Sequence, residues 1–151
     1  MYPEGESFGG STLVRVSEEA VDVWPMPFKS QEFDRGPELI QHHGDAALRL
    51  DYETESGLYG WMIVQFTEVQ ASRFTGWRYC SPDQIRAYDR LQEIKASEWI
   101  RATPGLPDGI KHFRIFFDEL GCYELLATGF RLAELKGGGE PGSRSAGGNG
   151  C

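Results

Sequence analysis

Between residues 12 and 136 apolar side chains recur mainly at every second position, the period of β-strands rather than helices. Thr12–Val16 sets Leu13 on one face and Val14 and Val16 on the other. Ala46, Leu48 and Leu50 alternate with Ala47, Arg49 and Asp51, and Tyr52 continues the apolar face. The run Leu58–Phe66 is apolar on both faces, which predicts a central strand covered on both sides. Val69, Ala71 and Arg73 carry an extended segment to Phe74, which Trp77 and Tyr79 close. Further on, Phe113, Ile115 and Phe117 alternate with His112, Arg114 and Phe116. The turn Asp118-Glu119-Leu120-Gly121 follows, with Gly121 free to take a positive φ. The chain then returns with Tyr123, Leu125 and Ala127 on one face, completing a hairpin.

One stretch breaks the two-residue period. Ser81 is a good N-cap, Pro82 suits the first helical position, and Gln84 completes a capping box. Asp83 sits favourably at the positive end of the helix dipole. Ile85, Tyr88, Leu91 and Ile94 then recur every three residues as one apolar stripe. Ser97 opens a short further turn that carries Trp99 and Ile100 inward, and Pro104, Gly105 and Pro107 stop it. The prediction is one principal helix over about 82–100, packed on a mostly antiparallel sheet. The fold class expected is therefore α+β, with a single domain over 12–136.

The ends read differently. Residues 1–11 mix Gly, Pro, Glu and Ser and predict a flexible lead-in. Residues 137–151 are rich in Gly, with Ser, Pro and Ala and no large apolar side chain, too little to offset the entropy of ordering. The opening residues lack the basic start and apolar run of a signal peptide. The three cysteines, Cys80, Cys122 and Cys151, form an odd set without CxxC spacing. The expectation is a cytoplasmic protein with reduced thiols, and no segment suited to a membrane.

Charge narrows the partners. Residues 1–75 hold 13 Asp and Glu against 5 Lys and Arg, whereas residues 76–151 are balanced at 10 each. The whole excess of the net charge of −8 thus lies in the first half. Nucleic acids and anionic membranes are disfavoured, because both are bound chiefly through Lys and Arg. A basic protein partner would instead be steered in. The candidate partner-binding residues are Glu18, Glu19, Asp22, Glu32, Asp34, Glu38 and Asp45, each of which, taken singly, reads more simply as a solvated surface charge.

Catalytic chemistry finds little footing. No phosphate-loop, dinucleotide, nucleophile-elbow or zinc-protease motif occurs, and no cofactor is implied. Cys80 precedes the capped helix, where a thiol can be activated, but an apolar neighbourhood reads more simply as core. Cys122, at the head of a strand, reads as core too. His42 and His43 are adjacent, so on an extended chain they diverge and cannot share an ion. His42-His43-Gly44-Asp45 reads as a polar turn. No catalytic residue and no metal ligand is assigned.

Two stretches, residues 81–100 and residues 112–130, carry a resemblance. A helix ending in a Ser-x-Trp turn, then a strand, an acidic Gly turn and a strand opening with Cys resembles the C-terminal half of small bacterial immunity proteins, common in actinobacteria, of polymorphic-toxin systems. The resemblance implies a small acidic cytoplasmic protein that neutralises a basic toxin rather than catalysing a reaction. Two other readings stand beside it. One is a small-molecule binder or enzyme with an aromatic cleft of Trp61, Trp77, Arg78 and Tyr79. The other is an accessory subunit that exposes Trp24-Pro25-Met26-Pro27-Phe28.

Overall fold

The structure, a computed structural model, describes residues 17–54 and 56–136. The strand predicted at Thr12–Val16, the flexible lead-in over 1–11 and the Gly-rich tail over 137–151 lie outside the described residues. Nine strands are described: β1 (Glu19–Pro25), β2 (Phe33–His42), β3 (Asp45–Glu53), β4 (Tyr59–Thr67), β5 (Ala71–Gly76), β6 (Arg90–Lys95), β7 (Lys111–Phe117), β8 (Gly121–Ala127) and β9 (Gly129–Lys136). They form a four-stranded sheet in the order β9-β4-β3-β2 and a five-stranded sheet in the order β1-β6-β7-β8-β5. Every neighbouring pair is antiparallel. The fold is thus β-rich. Two short helices, α1 (Pro82–Ile85) and α2 (Glu98–Ala102), are its only α-helices among the described residues. Neither is long and apolar enough to cross a membrane.

The core lies between the sheets. Ala46, Leu48, Leu50 and Tyr52 of β3, with Met62, Val64 and Phe66 of β4, meet Phe113, Ile115 and Phe117 of β7. Leu125 and Ala127 of β8 complete the layer, so the alternations read from the sequence do select the core face. Burying one large apolar side chain there contributes about 1.5–3 kcal/mol. The ring centroids of Phe66 and Phe113 stand 5.6 Å apart and join the two sheets directly.

Three expectations need correction. The single helix over about 82–100 is not formed. Its N-terminus is as predicted, with Ser81 Oγ accepting from Gln84 N–H and the Gln84 side chain accepting from Ser81 N–H. The helix ends at Ile85, Asp89 takes a φ of 54°, and Arg90–Lys95 becomes β6, paired on both sides. A capping box starts a helix but cannot propagate four residues of it against two available strand edges. Leu91 then enters the core from one face of β6 while Ile94 is buried on the other. The second correction is to β4, whose outer face is only partly covered among the described residues. Met62, Val64 and Phe66 are buried, whereas Trp61, Ile63 and Gln65 are half-exposed. The third is to Trp24–Phe28. Met26 and Phe28 are core residues, and Phe28 stacks on Tyr52 at 4.1 Å, so the segment plugs the sandwich as the chain crosses between sheets.

The final hairpin is as predicted. Glu119 at φ 59° and Gly121 at φ 145° turn the chain between β7 and β8. A Cβ at Gly121 would run into the carbonyl oxygen of Thr75, a backbone atom that cannot move aside. Gly121→Ala is therefore expected to destabilise the fold by roughly 1–3 kcal/mol, read as a lower urea midpoint in equilibrium unfolding.

Candidate functional site

The outer face of the five-stranded sheet is not left to solvent. On β7, His112, Arg114 and Phe116 turn away from the core, and all are buried. Cys122, Glu124 and Leu126 do the same on β8. Above the β8 end of this face lies a small apolar cluster of Ala87, Phe116 and Cys122, with Cys80 and Tyr88 packed against it. The Cys80 thiol donates to the carbonyls of Thr75 (3.4 Å) and Gly76 (3.5 Å). Burial raises its pKa, and burial raises that of Cys122 as well, so neither is an activated thiolate.

The polar part of this face centres on Glu124, which is 0% exposed. Its Oε1 accepts from Arg73 Nε (2.9 Å) and from Gln84 Nε2 (3.1 Å). Its Oε2 accepts from His112 Nε2 (2.9 Å) and Arg114 Nε (2.9 Å). The donors come from β5, α1 and β7, so one carboxylate gathers three elements. Burial by itself would raise the Glu124 pKa, but the hydrogen bonds from His112, Arg73 and Arg114 outweigh it and hold the carboxyl well below the usual range. The network continues outward. His112 Nδ1 lies 2.8 Å from Ser97 Oγ, and Ser97 Oγ accepts from Ile100 N–H at 3.1 Å as the cap of α2. Trp99 packs edge-on against His112, and the Arg73 guanidinium lies 4.0 Å from the centre of the Trp99 ring.

Ser97, His112 and Glu124 are connected in the order of a nucleophilic relay. Ser97 is nevertheless buried, its oxygen is taken up as a helix cap, and neither cleft described below reaches it. The arrangement anchors α2 to the sheet.

Two clefts border β1. The first, of about 260 Å³, opens beside α1. Gln92, Ile94 and Arg114 form its buried base, and Glu18, Ala20, Asp83 and Arg86 its exposed rim. Gln92 Nε2 donates to Asp22 Oδ1 at 2.9 Å, while the buried Gln92 Oε1 has no partner among the described residues. The second, a shallow cleft of about 680 Å³, is lined by Asp22, Pro25, Lys29, Gln31, Tyr88, Asp89 and Arg90.

The seven acidic candidates are divided between two places. Glu18, Glu19 and Asp22 lie at or on β1, an edge of the five-stranded sheet among the described residues. Glu18 Oε2 accepts from Glu98 N–H, and Asp22 also pairs with Arg90 at 3.3 Å. Asp34 and Glu38 lie on β2, an edge of the other sheet. Glu32 caps the preceding turn through Lys29 N–H, and Asp45 receives Glu68 N–H at the head of β3. Of the seven, Glu18 lines the first of these two clefts and Asp22 the second.

The aromatic cleft does not assemble. Trp61 stands on β4 with Arg49 over its ring, while Trp77, Arg78 and Tyr79 follow β5 of the other sheet. His42 ends β2 and His43 opens the turn to β3, and their rings do not diverge. With His43 at φ 50° they touch edge-on at 4.1 Å. No group of three or more His, Cys, Asp or Glu is placed to hold a metal among the described residues. Glu124, Arg114 and Gln92 are not among the residues that the sequence singles out. The signal present was a lone carboxylate inside the apolar run Cys122–Ala127, facing a strand that carries His and Arg at alternate positions.

Comparison of the chain with known protein families, with characterised proteins and with solved structures finds no match.

Replacing Glu124 with Gln leaves Arg73 and Arg114 without their counter-charge, and it is expected to destabilise the fold by roughly 3–5 kcal/mol. The same group sets an acid limit. Because folding lowers its pKa, its contribution is complete above the ordinary value of about 4.5 and is lost as pH falls below it. Urea midpoints measured from neutral to acid pH should decline there in the native chain and decline less in E124Q.

Proposed function

We propose that this chain is a protein-binding domain whose β1 edge receives a basic partner. The observation that carries the reading is the placement of Glu18, Glu19 and Asp22, all exposed, at a strand that is an edge among the described residues, with Glu18 lining one cleft and Asp22 the other. An exposed edge with a row of acids attracts a basic surface and speeds its approach, by an effect that falls with salt. The same charges also deter edge-to-edge pairing between copies of the chain. The likeness of residues 81–100 and 112–130 to immunity proteins supplies a partner class, a basic toxin that acts on nucleic acid. Neutralising such a toxin needs a complementary surface and no catalytic group.

Pull-down from the native host at low salt should recover a basic protein, and the complex should weaken as salt is raised. Reversing Glu18 and Glu19 to Lys should slow association by about tenfold or more at low ionic strength, whereas Asp34→Lys with Glu38→Lys should leave it nearly unchanged. Recovery of no basic protein, or equal effects from the two pairs, would sink the assignment to β1.

The accessory-subunit reading moves to another place. Phe74, Trp77, Tyr79 and Leu120 are all exposed near the β5 edge, Tyr79 by 84%. Trp77 N–H donates to the Leu120 carbonyl at 3.1 Å, which keeps two of them adjacent. Grouped exposed rings of this kind mark contact surfaces. If the chain self-associates there, sedimentation at high concentration should show a dimer that Tyr79→Glu converts to monomer. A monomer throughout removes this reading.

A further inference from the structure

The cleft beside α1 has a base already built for a ligand. Gln92 is 6% exposed, and its side chain lies on the same face of β6 as Ile94. Asp22 can only accept, so the amide end of Gln92 turned toward it must be nitrogen. That leaves Oε1 as the end without a donor, a buried acceptor unpaired among the described residues. Such groups are rare in folded proteins, because each forgoes its hydrogen bonds to water. Arg114 stands directly across from Gln92 in the β6–β7 register. It commits Nε to Glu124, and its Nη groups have no hydrogen-bond partner among the described residues. The base of the cleft therefore holds, on facing strand positions, one residue with a buried unpartnered acceptor and one with a charged donor. The cleft of about 260 Å³ holds roughly nine times the volume that one water takes in the liquid.

We propose that this cleft binds a primary carboxamide, whose N–H donates to Gln92 Oε1 and whose carbonyl accepts from the Arg114 guanidinium. One planar group meets both needs. An ammonium or guanidinium would satisfy Gln92 but face the charge of Arg114. A carboxylate would satisfy Arg114 but leave Gln92 without a donor. The carboxamide belongs either to a free molecule of glutamine size or to an Asn or Gln side chain of a polypeptide. The site does not depend on the basic-partner reading and can stand if that reading fails.

The test is an NMR titration of the full-length, isotope-labelled chain with acetamide and L-glutamine, set against acetate and methylammonium. Saturable shifts of the Gln92 side-chain amide and the Arg114 Nε–H signal are expected with the two carboxamides alone, at the weak affinity usual for so few atoms. Gln92→Met should abolish the response and raise the thermal midpoint, since it removes the unpaired acceptor at similar volume. Ala20→Phe, which fills the cleft from its exposed rim and leaves Gln92 in place, should abolish it too. A Gly-Gln-Gly peptide that binds tighter than glutamine, with Gly-Glu-Gly silent, assigns a polypeptide source, and the reverse order assigns a free molecule. No saturable shift with either carboxamide, an equal response to acetate or methylammonium, or a response that survives Gln92→Met overturns the proposal.

Discussion

The buried carboxylate of Glu124 is the constraint on which most of the rest depends. A lone carboxylate removed from water costs several kcal/mol, and it becomes tolerable only when donors surround it in good geometry. Four donors do so here, from Arg73, Gln84, His112 and Arg114. Because these residues stand on β5, α1 and β7, meeting the need of one side chain sets the positions of three elements. Through His112 and Ser97 the same network reaches α2. A sheet that would otherwise be half wet is thereby covered on both faces. The two excursions of the chain that carry α1 and α2 are far too short to be stable helices alone, and packing on this face is what holds them.

That network also shapes the surface where binding is proposed. Arg114 is fixed by Glu124 on one side and forms part of the base of the α1 cleft on the other. Gln84 ties α1 to the sheet, which places Asp83 and Arg86 at the rim. The contrast between neighbours is informative. Glu124 is satisfied by four hydrogen bonds, whereas Gln92, one strand away from Arg114, keeps an acceptor unpaired among the described residues. Glu18, Glu19 and Asp22 make no contact with Glu124: Glu18 precedes β1 and receives Glu98 N–H, and Asp22 on β1 receives Gln92 and pairs with Arg90.

What the sequence by itself determined is the local and periodic content. The alternations at Ala46–Tyr52, Phe113–Phe117 and Tyr123–Ala127 name the core faces, because a strand can bury only every second side chain. Ser81 and Gln84 announce a helix start, Ser97 a second one, and Gly121 a turn, since each rests on contacts a few residues apart. Tertiary structure alone decided the rest. Residues 90–95 satisfy a three-residue spacing on paper, yet two strand edges offered backbone hydrogen bonds and a core position for Leu91 that a lone helix could not match. Trp24–Phe28 reads as exposed until the second sheet is there to receive Met26 and Phe28. Above all, Glu124 reads as one more surface acid. Its partners are separated from it by 10 to 51 residues in the chain, and only the pairing of β5, β7 and β8 brings them within hydrogen-bonding distance.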